Sequence, residues 1–352
     1  MPDWSASMQQ TFEYYVVDPE TWKDTKKLNI VKSSTISRDS SAETLGSATM
    51  DITGSIDECY IRTYLITIQN GITEKHPLGT HIVQTPSIKF DGKTSTVSVD
   101  AYTPLLELKD NKPPIGYYIP KKENIMDWAY RLVRENSRAP VVKAKSSSTL
   151  FNDFVANTDD TWLTFLTDLV SNANYTFDID EMGRILFSPK QDTASLQPIF
   201  TYNDDNSSIL YSDLDMSRDL YGIPNVVEVI YSGGSDCYYA KAINDEDNSP
   251  ISTVNRGREI VYRVTNPDAI GTPTEKRVKQ YAEQLLKELS TLEYTITYSH
   301  GYNGVRVGDC VRINYSRAGI TNIKAKVINQ SIDCTAGCKV SETATFTTKL
   351  WR

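Results

Sequence analysis

Histidine is scarce in this sequence. His76, His81 and His300 are the only three in 352 residues, and nucleophilic catalysis needs a base set beside its nucleophile. The familiar hydrolase and nucleotide signatures are missing with them: there is no Gly-x-Ser-x-Gly elbow, no His-Glu-x-x-His helix and no Gly-x-x-x-x-Gly-Lys loop. Cysteine is sparse as well, and Cys59, Cys237, Cys310, Cys334 and Cys338 make an odd number. The opening Met1-Pro2-Asp3-Trp4-Ser5-Ala6 has neither the basic start nor the apolar stretch of a signal peptide. Reduced thiols are therefore expected. Only Cys334 and Cys338 are neighbours, and with no histidine beside them a four-ligand zinc site is hard to assemble; a buried or strand-end thiol pair is expected. No apolar run approaches the ~18 residues that span a bilayer, so the chain is expected to stay where it is made until a lysing cell releases it. Cations are outnumbered too: 37 Lys and Arg against 45 Asp and Glu leave a net charge of −8. That is the wrong sign for a surface that grips phosphates, which argues against nucleic acid as a tightly held partner.

What is present is the make-up of a folded protein. Hydrophobic residues at 39% and charged residues at 23% sit in the globular range, and the length suggests two or three domains. Tyrosine outnumbers phenylalanine 21 to 9, which suits half-buried sheets and subunit interfaces, because the ring is apolar and the hydroxyl can stay wet.

From Asn29 to Lys109 short runs alternate apolar and polar residues: Ser34 to Ser37, Ala48 to Thr53, Tyr60 to Ile68 and Thr94 to Tyr102. A period of two means strands with one buried face, and Asn70-Gly71 and Asp91-Gly92 between them mean hairpins in a barrel or sandwich. Asn111-Lys112-Pro113-Pro114 then marks a boundary, since two prolines remove two donors. Beyond it the period changes. Ile125, Ala129, Leu132 and Val133 share a helical face, and Trp162, Phe165, Leu166, Leu169, Val170 and Ala173 share another, with Asp159-Asp160 at the positive end of its dipole. Tyr175 to Ile179 and Arg184 to Ser188 read as a hairpin around Gly183. Strand texture returns from Ile209, in Asn225 to Tyr231 and Arg258 to Val264. Thr272-Pro273-Thr274-Glu275 reads as a capping box with proline at the first helical position, and Val278, Tyr281, Ala282, Leu285, Leu286 and Leu289 follow at helical spacing. Leu285 and Leu286 are expected to pack this helix on a β domain. Leu292 onward is β, including Val305 to Asn314 with a Gly308-Asp309 interruption, Ile323 to Asp333 and Ala344 to Leu350. The expected fold is mainly β with an α+β middle region: two β-barrel-like domains, 1–112 and 201–352, flank 113–200, and the last domain carries a helix at about 273–290.

The candidate sites each have a plain structural alternative. Asp178, Asp180 and Glu181 echo the opening of a calcium loop, but the twelfth position is Pro189, followed by Lys190, where a bidentate glutamate is needed, so a polar hairpin turn is expected. Asn203-Asp204-Asp205-Asn206 and Asn244-Asp245-Glu246-Asp247-Asn248 read as solvated loop tips. His76-Pro77-Leu78-Gly79-Thr80-His81 reads as a hairpin loop. Ser232-Gly233-Gly234-Ser235 follows a strand with no helix after it, which denies it the setting of a phosphate cradle. No residue is assigned to catalysis, to a cofactor or to a metal. Trp22, Trp128 and Trp162 offer surfaces on which sugars stack, although the last two fall on or beside apolar helix faces. A β-rich glycan-binding or glycan-cleaving module, whose paired carboxylates leave no local signature, is thus the alternative class.

The order of the elements carries a resemblance. The strand Val97 to Tyr102 running into Leu105-Leu106, the helix ending near Asn174-Tyr175 before the Phe177 to Phe187 hairpin, the Asn225 to Val229 strand, the Tyr281 to Leu289 helix and the Val307 to Val311 strand follow in an order similar to that of the central baseplate hub proteins of contractile phage tails and phage-like bacteriocins. The resemblance covers nearly the whole chain. Where that family often has an aromatic or histidine strand after the Gly-Asp hairpin, this chain has Val327-Ile328-Asn329-Gln330-Ser331. The resemblance implies a homotrimer at the end of the tail tube. Two similar barrels per chain would match a hexameric tube or tube-initiator protein above and a trimeric spike below. It implies a structural part of the virion tail, assembled in the host cytoplasm, that contacts other baseplate proteins and lets DNA through without holding it. It implies no catalysis, no cofactor and no membrane insertion.

Overall fold

A computed structural model describes residues 2–90, 92–93, 95–191, 193, 195–205, 210–218, 220–233, 236–267 and 274–349. The chain falls into two compact units, one of residues 1–214 with 298–344 and one of 215–297 with 345–352.

The first unit begins with strands β1 (Gln9–Val17), β2 (Asp24–Leu28), β3 (Val31–Asp39), β4 (Gly46–Ile52), β5 (Tyr60–Gln69), β6 (Ile72–Phe90) and β7 (Ser95–Tyr102). A helical insert follows: α1 (Leu106–Asp110), β8 (Tyr118–Ile119), α2 (Ile125–Asn136), β9 (Phe154–Val155), α3 (Trp162–Ser171), and a hairpin of β10 (Tyr175–Ile179) and β11 (Ile185–Pro189). Then come β12 (Phe200–Asn203) and β13 (Leu210–Arg218). The second unit contributes β14 (Val226–Gly233), β15 (Asp236–Ile243), α4 (Thr253–Arg256), β16 (Val261–Thr265) and α5 (Glu275–Leu289). The chain ends through β17 (Thr291–Gly301), β18 (Cys310–Tyr315), β19 (Ile320–Asp333) and β20 (Lys339–Lys349).

One sheet runs in the order β13-β17-β20-β19-β3-β4-β7-β6-β5-β1-β2, and β18 bridges β19 and β12 beside it. The join between early and late strands is β19 against β3, antiparallel with Ile332 opposite Ile36. The alternation seen in the sequence sets which side chains meet beneath this sheet: Ile36, Met50, Leu65, Val99, Ile332 and Val340 share one core. A second core forms where α1, α2 and α3 turn their apolar stripes inward with Phe177 and Phe187 of the hairpin. In the second unit α5 lays Val278, Ala282 and Leu286 on Val227, Val229, Ala240 and Ala242.

The fold is mainly β with helical inserts, and several local expectations shift. Strands begin at Gln9, well before Asn29. The histidine segment is no loop: it lies inside β6, where the pairing with β5 slips from Thr63↔Gly79 to Tyr64↔Pro77 and leaves Leu78 as the bulged residue. A proline without an N–H fits at a bulge, and the extra residue drives Leu78 into the core. The Asn70-Gly71 hairpin is present between β5 and β6, with both residues at positive φ; Asp91 lies outside the described residues. The cap of α3 is Thr161, which exchanges hydrogen bonds with Thr164, and Asp159-Asp160 directly precede it. That of α5 is Thr274 accepting from Arg277 N, so Glu275 is the first helical residue and proline is not at that position; Thr272 and Pro273 lie outside the described residues. The stretch Val305 to Asp309 turns at Gly308 and the strand starts at Cys310. Arg258 to Ile260 likewise precede β16. Leu350 is outside the described residues.

Candidate functional site

The densest polar chemistry lies inside the first unit. Glu342 on β20, Tyr298 and His300 on β17, Gln330 on β19 and Tyr202 on β12 are all buried. Each falls on the inward parity of its strand, in step with Val340 and Ala344 for Glu342 and with Ile296 for Tyr298 and His300. The carboxylate of Glu342 accepts from Tyr298 Oη at 2.7 Å and from Gln330 Nε2 at 2.6 Å. His300 Nε2 stands 3.0 Å from Tyr202 Oη and 3.3 Å from Glu342 Oε2, and Nδ1 lies 2.6 Å from the Gly301 carbonyl, which fixes the ring. Asn303 Nδ2 donates to Tyr202 Oη at 2.8 Å, and Gln330 also donates to the Val305 carbonyl. Burial works against the ionised carboxylate, yet the hydrogen bonds and charge of His300, with Tyr298 and Gln330, hold the Glu342 pKa below its ordinary value. Burial, reinforced by the charge of Glu342, pushes both tyrosine hydroxyls well above theirs. A histidine, a carboxylate and two phenols in contact resemble catalytic machinery, but these side chains are sealed in the sheet and spend their bonds on one another. They act as a polar seam that fixes the register of four strands. The sequence signal for it is parity: charged or ring-nitrogen residues at positions where an alternating strand points inward.

From the seam the network continues outward. Arg38 Nη1 donates to Gln330 Oε1 at 2.9 Å and Nη2 to the Leu78 carbonyl at 2.7 Å. The same guanidinium lies 3.3 Å from Glu181 Oε1, and Glu181 also faces Arg306 Nε at 2.7 Å. Glu181 belongs to the tip of the β10–β11 hairpin, and that tip is docked, not solvated. Its Met182 carbonyl accepts from Trp22 Nε1 at 2.7 Å and from Arg62 Nη2 at 3.0 Å, and its Glu181 carbonyl from Thr80 Oγ1. Arg62 is 1% exposed and answers Asp24 at 2.7 Å. Gly183, at φ +75°, leaves no room for a side chain: a Cβ would meet Thr80 Cβ at 2.7 Å. The carboxylates of the calcium-loop echo are thus brought to different partners. Asp178 accepts from Ile179 N and Ser188 Oγ, Asp180 holds Arg184, Glu181 bridges two arginines, and Lys190 donates to Ser171. No three His, Cys, Asp or Glu side chains converge as a metal site among the described residues.

The remaining candidates scatter. His76 lies 3.1 Å from Thr67 Oγ1 and packs edge-on to Trp4, while His81, further along β6, is buried and feels the charge of Arg38. Cys334 and Cys338 are buried free thiols, and burial pushes the Cys334 thiol up to about 12. Asp204 is no free loop tip: it accepts from Ser316 Oγ and Arg317 N; Asn206 lies outside the described residues. Asn244 is buried and bonds Ser249 and the Asn225 carbonyl, and it anchors an exposed loop tip of Asp245, Glu246, Asp247 and Asn248. Ser232-Gly233 ends β14 and β15 pairs back antiparallel, with Gly234 and Ser235 outside the described residues. Trp22 packs edge-on to Tyr60, Trp128 lies under Arg131 and Trp162 is in the helical core. A cleft of about 300 Å³ beside Phe151 has Asp153 as its one titratable lining residue, and that carboxylate already takes Lys121 N. What does stand open is apolar surface. Ile115 and Phe151 are 96% and 91% exposed, Tyr118 and Val155 stand paired across β8–β9, and Ile88 and Phe90 project at the end of β6. Surface of this kind suits contact with other proteins better than it suits chemistry.

The fold is one found in phage tail proteins. The tail protein of Neisseria meningitidis MC58 matches at a TM-score of 0.65 and 13% identity, over 97% of this chain and 98% of that one. The 43 kDa tail protein of prophage MuSo2 from Shewanella oneidensis matches at 0.62 and 12% identity, over 95% and 98%. A chain of the Francisella PdpA-VgrG complex matches at 0.55 and 8% identity, over 96% of this chain and 53% of that one. Neither a protein-family model nor a curated protein sequence matches the chain. The likeness that the order of elements carries in the sequence is thus met by the fold along almost the entire chain.

Proposed function

We propose that the chain is the structural hub of a contractile tail baseplate, a homotrimer that joins the hexameric tail tube or its initiator to a trimeric central spike and starts baseplate assembly. The observation that carries the proposal is end-to-end likeness to tail proteins, over 97% of this chain and 98% of the Neisseria protein. Polar clusters that are consumed internally and apolar side chains that face outward favour assembly over catalysis. In this proposal 1–112 and 201–352 are the barrel-like domains, 113–200 is the α+β domain, and no residue serves catalysis, a cofactor or a metal. The protein resides in the virion tail after assembly in the host cytoplasm, contacts other baseplate proteins and inserts in no membrane; no helix among the described residues is long and apolar enough to cross one. A net charge of −8 suits a lumen that repels the duplex and lets it slide.

Sedimentation of the purified protein, followed by capture with the tube and spike proteins of its own particle, tests the assignment. A trimer that binds both is expected. A monomer that binds neither at any concentration overturns it. Replacing Asp178 and Asp180 together by Asn is expected to leave tails assembling; their loss with the protein still folded would show that the hairpin carboxylates have a specific function.

A further inference from the structure

The long sheet has two ends, β2 and β13, and among the described residues neither end strand pairs with a further strand. An edge strand carries a row of unpaired N–H and C=O groups, and proteins that remain monomers keep such edges short or blunt them with charge. β2 follows that rule with five residues that include Lys26 and Lys27, just after Lys23. β13 breaks it. It is nine residues long and exposed along most of its length on both faces, with Tyr211 41% exposed on one and Met216 48% exposed on the other. It carries Asp213 and Asp215 against a single cation, Arg218 at its end, and of its carbonyls that of Ser212 already accepts from Tyr315 Oη at 2.6 Å. Lys27 already pairs with Glu13, whereas Lys26 projects outward.

We propose that β13 of one copy adds to β2 of the next, extending the sheet from subunit to subunit. The proposal rests on the hub assignment, whose trimer it equips with a defined contact. Charge selects this pairing from its rivals. Two β13 edges would set Asp213 and Asp215 against their own copies, and two β2 edges would set lysine against lysine, whereas β13 on β2 sets acid against base. Main-chain hydrogen bonds supply the affinity, over at most the five residues of β2. The contact joins two different patches, so it is head-to-tail, and copies added in this way close into a ring when the rotation returns on itself.

Charge reversal with restoration tests it on the full-length protein, with sedimentation as the readout. Asp213→Lys and Lys26→Glu, made separately, are each expected to raise the concentration at which the oligomer forms by tenfold or more, and the double variant to recover it. A folded single variant that assembles like wild type, or a double variant no better than the singles, overturns the edge pairing while leaving the hub assignment intact. A wild-type protein that is monomeric at every concentration overturns both.

Discussion

Gly79 and His81 sit two positions apart on β6, and their packing sets an acid limit on the fold. A Cβ on Gly79 would stand 2.5 Å from His81 Cε1, so the imidazole lies over the glycine. Burial, with the charge of Arg38, pushes the ring's pKa down to about 3, and Nδ1 finds no hydrogen-bond partner among the described residues. Unfolded, the same ring titrates near 6.5. Between these values the unfolded chain binds a proton that the folded one refuses, so stability falls as pH drops below about 6.5, by up to about 1.4 kcal/mol per unit. Urea midpoints at pH 7.5 and 5.5 are expected to differ for wild type and to converge for His81→Leu; an unchanged difference in the variant assigns the acid limb to other groups. Glu342 acts further down. Its folded pKa lies below the ordinary 4.5, so its contribution is present at neutral pH and is lost as pH falls below the carboxylate range. Tyr298→Phe removes a hydroxyl bonded to that charge and is expected to cost about 1.5–3 kcal/mol in urea unfolding. A loss under about half a kcal/mol would mean that water takes the hydroxyl's place. None of these groups announces itself by spacing. His81 and Glu342 acquire their surroundings from strands far away in sequence; parity on an alternating strand hints that Glu342 points inward, whereas His81 lies in a run, Leu78 to Val83, that is buried throughout.

The elements divide by how local their causes are. α2, α3, α5 and the β10–β11 hairpin could be read directly, because a helical stripe or a glycine turn is complete within a dozen residues. The α5 stripe also carries a test. Leu286 is fully buried against β14 and β15 while Leu285 is half-buried at the margin of the same core. Leu286→Ala is expected to cost about 2–5 kcal/mol and Leu285→Ala distinctly less; equal losses would mean that the helix sits rotated from this orientation. Thr274→Ala removes the hydrogen bond to Arg277 N and is expected to cost about 0.5–2 kcal/mol. The histidine segment misleads because Pro77 and Gly79 look like turn punctuation, whereas a partner strand turns them into a bulge. The carboxylate-rich hairpin tip misleads in the opposite sense. Its residues suit a solvated turn, and the socket that receives it is built from Trp22, Arg38, Arg62, Thr80 and Arg306, none of which lies near it in sequence.

For the whole molecule, the β-rich class with helical inserts follows from periodicity, but the joining of early and late strands in one sheet does not. Nothing local in Val31–Asp39 says that its second neighbour is β19, and the Arg38 to Gln330 hydrogen bond spans 292 positions. That separation sets an order of events on the ribosome. At about 5–20 residues per second, β3 leaves the tunnel on the order of 15 to 60 s before the strand that covers it, holding an open edge throughout. A stop codon after Tyr315, which deletes β19 and β20, is therefore expected to move the product into the insoluble fraction; a soluble, monodisperse product would show that β3 tolerates exposure. The late strands would then serve as a checkpoint on translation: only a chain made through β19 covers the β3 edge, and a shortened copy would be left with that edge open.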